Sequence, residues 1–135
     1  MSRGQAPLAV AAGGIIGTGL RLGLDTLLPH SERSFPVSIL IVNTLGSFLL
    51  GLLVSTAWRR ASTPSWLKAG LGAGLLGSFT TFSALTVSLV AQSASGEWMP
   101  ALVTLAASLL LGFGAAALGL RLGGREPAPI DEVDE

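Results

Sequence analysis

The densest chemistry in the chain lies in one run, Gly77-Ser78-Phe79-Thr80-Thr81-Phe82-Ser83, where four hydroxyl residues and a glycine surround two phenylalanines three positions apart. Hydroxyls beside a glycine can take over backbone hydrogen bonds, so a helix built on this run is open to interruption. Carbonyls released at an interruption suit a small hard cation. Ring edges carry the positive part of the aromatic quadrupole and can meet an anion without a full charge. The same run also reads as a polar seam between helices, with no ligand. Asn43, inside Val42-Asn43-Thr44-Leu45-Gly46-Ser47, is either an interhelical hydrogen-bonding residue or part of a permeation path. Thr104 and Ser108 are four apart and share a helical face with Gly112, although hydroxyls at this spacing usually bond back to their own helix. Arg21 precedes Asp25 by one turn, so the two either neutralise each other or leave the arginine to attract anions.

These few groups must be positioned by an otherwise apolar chain. Of its 135 residues 50% are hydrophobic and only 12% charged, against about 25% charged in an ordinary soluble domain. The mean hydropathy is +0.66. Eight Lys and Arg balance eight Asp and Glu, which leaves no net charge and no basic face for nucleic acid. There is no cysteine and one histidine, His30, which excludes disulfide frameworks, thiol catalysis and Cys/His metal centres. Nothing in the composition points to an enzyme.

No charge occurs from residue 34 to 58, from 69 to 96, or from 98 to 120. Each stretch is long enough to cross about 30 Å of hydrocarbon. The first apolar segment is less clean. Its small residues Ala9, Ala11 and Ala12 resemble a leader cleavage site only weakly, and the apolar pattern continues past them. The expectation is an all-α membrane protein with four transmembrane helices, over 8–28, 35–58, 66–91 and 98–122, the third of them broken. Trp58, Trp66 and Trp98 fall at span borders, where indole prefers the headgroup level. Residues 1–122 form one transmembrane domain in this reading, and 123–135 a disordered acidic tail. Glycines four apart, Gly13/Gly17, Gly19/Gly23 and Gly70/Gly74, predict close helix packing and contact with a second subunit.

Taken in order, these segments resemble the CrcB/Fluc family of fluoride channels. Gly13-Gly14-Ile15-Ile16-Gly17-Thr18-Gly19-Leu20-Arg21 resembles the family's first-helix pattern. Pro36 and the Asn43–Phe48 run with Gly51 resemble its second, Gly74–Ser83 its third-helix signature, and Ser108 to Gly112 its fourth. The resemblance implies an antiparallel dimer of four-helix subunits with two narrow fluoride pores. It also implies roles. Phe79 and Phe82 would turn ring edges to the ion, Asn43 would donate amide hydrogens, and Ser108 with Thr104 would form a polar track. Arg21 would stand near the aqueous mouth. The backbone carbonyls of Gly77 and Thr80 would hold a structural Na+ at the dimer centre. Two positions depart from the family pattern. Ser78 replaces a more usual glycine, and Gly112 stands where some members carry a hydroxyl.

The chemistry is coherent with that implication. A strongly hydrated anion needs donors in place of water, and a deep fixed cation would hold it too tightly to release. No basic or acidic residue lies in the middle of any span. A small multidrug exporter would need an embedded glutamate on the first helix, where the only acid is Asp25 near the end. A non-conducting membrane subunit would leave the Thr-Thr-Phe-Ser run without a purpose.

Counting charges gives an orientation in the cell membrane. Arg3, Arg59, Arg60, Lys68, Arg121 and Arg125 share one side, while Arg33, with Arg21 if it reaches that way, holds the other. Both termini are therefore expected in the cytoplasm. A chain so biased favours an oppositely oriented paralogue over a second copy of itself as its partner in the bilayer.

Overall fold

The computed structural model describes residues 4–29, 31 and 34–124. The acidic tail from residue 125 onward lies outside the described residues, as do Arg3, Arg33 and Arg125 of the charge count. Among the described residues every regular element is helical. They are α1 (Gln5–Leu27), α2 (Val37–Ser55), α3 (Ser65–Ala69), a π-helical stretch (Gly70–Leu76), α4 (Gly77–Phe79), α5 (Ser83–Ala94) and α6 (Trp98–Leu122). The pieces from Ser65 to Ala94 make one span, so four helical spans are long and apolar enough to cross a membrane. Pro7 and Pro100 sit in the first turns of α1 and α6, where a missing N–H costs no helical bond. α2 stops at Ser55, short of Trp58. α5 runs three residues beyond the expected end at Ala91, which carries Gln92 into the helix rather than into a connection.

The spans pack as two parallel pairs, and glycine sets both contacts. α1 lies on the π-helical stretch. A Cβ on Gly13 would overlap the Gly70 carbonyl oxygen, and one on Gly17 the Leu75 carbonyl oxygen. A Cβ on Gly74 would stand 2.7 Å from the Val10 carbonyl oxygen. α2 lies on α6 in the same manner, Gly51 against the Ala116 carbonyl and Gly119 against the Phe48 carbonyl. Lipid offers no hydrophobic drive for helix association, so backbone contact through small residues supplies it. Gly19 and Gly23, expected as a third packing pair, meet nothing within 4 Å in this subunit.

The π-helical stretch is built on Gly70, Gly72 and Gly74. Its wider turn holds one extra residue, a feature frequent at functional sites. Trp58 lays its ring on Gly72, where a Cβ would come within 2.7 Å of Cζ2. Lys68 Nζ donates to the Trp58 carbonyl at 2.8 Å, tying the start of the third span to the end of α2.

Candidate permeation site

The third span is interrupted at Thr80, whose φ of −75° and ψ of 153° are those of extended backbone. Side chains take over the bonds that the interruption frees. Thr81 N–H, which a continuous helix would give to the Gly77 carbonyl, donates to Asn43 Oδ1 at 2.8 Å. Asn43 Nδ2 donates back to the Thr81 carbonyl at 2.8 Å. Ala84 N–H, the helical donor for the Thr80 carbonyl, goes to Thr81 Oγ1 at 3.2 Å, so Thr81 caps the start of α5 with its hydroxyl. Thr80 Oγ1 bonds back to the Leu76 carbonyl at 2.9 Å. The carbonyls of Gly77 and Thr80 are thus among those at the break whose helical donors go elsewhere.

Beside the break lies a groove of about 320 Å³, lined on α2 by Asn43, Ser47 and Leu50 and on the third span by Gly77, Thr80 and Phe82. Gly46 forms its floor. A Cβ there would overlap the Thr80 methyl and stand 3.6 Å from Phe79 Cδ1.

The two phenylalanines do not share this surface. Phe82 lines the groove and is 78% exposed, whereas Phe79 is 4% exposed and packs inside the subunit. Three residues apart on an unbroken helix they would face the same way. The extended Thr80 between them separates the two rings.

Thr104 and Ser108 lie elsewhere. Thr104 is fully buried, and its hydroxyl donates to Gln92 Oε1 at 3.2 Å. Ser108 Oγ donates to the Thr104 carbonyl at 2.8 Å. Neither lines the groove, and both hydroxyl protons are held by protein groups. Arg21 is half-buried on α1, and among the described residues no ion pair joins it to Asp25. Asp25 Oδ1 instead accepts from Ser38 Oγ at 2.8 Å, which links the end of α1 to the start of α2.

Two residues that sequence reasoning passed over stand out: Thr81, whose backbone is the partner of Asn43, and Gln92. Gln92 is a lone amide in a charge-free stretch of 28 residues counted from 69 to 96, and an amide inside a span needs a buried partner. Among the described residues no group of three or more His, Cys, Asp or Glu is placed to hold a metal. A cation at this site would rest on backbone oxygen, the ligand a hard ion prefers.

The sequence comparisons agree with this architecture. The model of the family described as CrcB-like protein, Camphor Resistance (CrcB), matches residues 8–120. The chain belongs to the CrcB family. Relatives in it include the fluoride-specific ion channel FluC 1 of Leifsonia xyli subsp. xyli, 40% identical over 123 residues, covering 90% of this chain and 89% of the relative. The fluoride-specific ion channel FluC of a Thermus thermophilus strain is 44% identical over 118 residues, 87% of this chain and 94% of the relative. FluC 2 of Geobacillus kaustophilus, another fluoride-specific ion channel, is 40% identical over 113 residues, 83% of this chain and 88% of the relative. The match to the CrcB family spans all four helices and includes the break.

Proposed function

We propose that this chain is a fluoride-specific channel subunit that lets fluoride leave the cell passively. The observation that carries the reading is the groove at the break, where the Asn43 amide and the exposed Phe82 ring converge, in a chain whose relatives are named fluoride-specific channels. Asn43 Nδ2 has two hydrogens, and the Thr81 carbonyl takes one. The other is a donor for an anion. Phe82 adds polarised ring edges. Neither group carries a full charge, so the ion is desolvated without being trapped.

The full path needs a second subunit. Phe82 and the unpaired Gly19 and Gly23 support a partner face, and the partner would run in the opposite orientation. Phe79 would back the wall from inside, Thr104 and Ser108 would belong to the polar layer at the far end of α5, and Arg21 would stand near the mouth. The diverted donors fit a structural sodium ion on the Gly77 and Thr80 carbonyls of both subunits. When bound, it would supply fixed positive charge between the two breaks. The charge count supports cytoplasmic termini and an oppositely biased paralogue as the preferred partner.

Fluoride and chloride efflux from liposomes holding the purified chain, alone and with a paralogue, tests the reading. Rapid fluoride efflux with chloride retained is expected. Equal efflux of both ions, or of neither in any pairing, would refute it.

A further inference from the structure

α5 is the part of the third span beyond the break, and among the helices it packs chiefly on α6. Side-chain amides hold it at both ends. At its entrance Asn43 clamps the Thr81 backbone. At its far end Gln92, 0% exposed, donates from Nε2 to the Ser34 carbonyl at 3.1 Å and accepts on Oε1 from the Thr104 hydroxyl at 3.2 Å. A carbonyl can only accept, so Ser34 fixes Nε2 on its own side and turns Oε1 toward Thr104. One amide therefore joins the segment entering α2, the end of α5 and the hydroxyl-bearing face of α6.

We infer that Gln92 is a positioning residue of the permeation path: it anchors the far end of α5 and so sets how the break presents Thr81 and Phe82 to the groove. Phe82 immediately precedes α5. The 12 residues of α5 make a lever of about 18 Å. With the Asn43 clamp alone, side-chain hydrogen bonds to the rest of the subunit would hold this lever at its entrance and leave the far end to its packing on α6. Gln92 ties that end as well. An amide in a fully buried site has no water to turn to if either bond breaks, which makes the anchor firm. The inference rests on the fluoride path proposed above, and its test separates the two.

Gln92→Met keeps length and apolar bulk but removes both bonds. Gln92→Glu keeps both only while the carboxyl is protonated, since only the acid form can donate to the Ser34 carbonyl. Varying the pH compares the two forms. Fluoride efflux is measured on the full chain in liposomes between about pH 5.5 and about pH 9.5, with the thermal midpoint of each protein. Among the described residues the charged groups at this end are Asp25, Glu97 and Arg21, and the sequence of the first connection adds His30, Glu32 and Arg33. The wild-type profile records their contribution.

The expected result is a rate about tenfold lower for Gln92→Met at every pH. Gln92→Glu should run near the wild-type rate in acid and fall by a similar factor as pH rises. A folded Met variant at the wild-type rate overturns the clamp, even if the Glu variant slows with pH, because carboxylate repulsion alone would then explain that slowing. A Glu variant with a flat profile also overturns it, and this comparison decides the matter if the Met variant does not fold. A wild-type chain without fluoride flux in any pairing removes the path itself.

Discussion

Asn43 and Thr81 exchange two hydrogen bonds of 2.8 Å, side-chain amide to backbone amide, across 38 residues of sequence. The asparagine supplies what the next helical turn would have supplied, so at the break both the N–H and the carbonyl of Thr81 are paired at membrane depth.

Asn43→Asp should damage both the clamp and the path. One carboxylate oxygen can still accept from Thr81 N–H, but the other faces the Thr81 carbonyl and donates nothing. A loss of about 2 kcal/mol in stability and at least about a tenfold drop in fluoride efflux are expected. A wild-type rate in liposomes would show that no ion meets this amide.

The two phenylalanines should respond differently. Phe82→Ile removes the polarised edge at a site 78% exposed, so fluoride efflux should fall with the melting temperature nearly unchanged. Phe79→Ile leaves a gap in a packed site and should cost about 1–3 kcal/mol of stability. If both variants carried fluoride at wild-type rates, the pore surface would have to be sought elsewhere.

Among the glycines the contrast lies within one helix. Gly17→Ala drives a methyl into the Leu75 carbonyl and should cost about 1–3 kcal/mol. Gly19→Ala meets nothing within 4 Å and should leave the melting of an isolated subunit unchanged. Thermal denaturation in detergent distinguishes them.

Sodium should matter to assembly rather than to turnover. Replacing it with a bulky organic cation should lower the thermal midpoint of the proposed dimer, and restoring it should reverse the change. A high-resolution map in sodium buffer with no density between the two breaks would remove the cation.

Orientation is open to a direct test. Reporters fused to the C-terminus should be active only when of the cytoplasmic type, given Arg59, Arg60, Lys68 and Arg121 on that side. Comparable signal from a reporter that works outside the cell would undo the expectation of a paralogous partner.

The spans were legible in the sequence because charge is absent from them, and that signal is independent of how they pack. The Gly77–Ser83 run likewise carried the chemistry that an interruption requires, and the extended residue lies inside it. On an unbroken helix Phe79 and Phe82 would share a face, and a single ψ of 153° at Thr80 separates them, a detail that the spacing of the residues does not carry. Partners distant in sequence were invisible. Nothing local to Asn43 points to the Thr81 backbone, and nothing local to Gln92 points to Ser34 or Thr104. The π-helical stretch was hidden as well, since its glycines read equally well as ordinary packing positions.

That stretch makes the spacing between Lys68 and Thr81 a dimension of the site. Each residue added to or removed from a helix turns everything beyond it by about 100° and shifts it by about 1.5 Å. Gly70–Leu76 already contains the additional residue of a wide turn. Deleting one of its glycines would let the segment close to ordinary helix with Thr81 and Phe82 near their places. A residue added or removed in the α-helical parts between Lys68 and Thr81 would instead swing Thr81 away from Asn43 and Phe82 out of the groove. Glycine-rich stretches are commonly the most forgiving of changes in length. In the α-helical parts on either side of this one, length works as a phase setting.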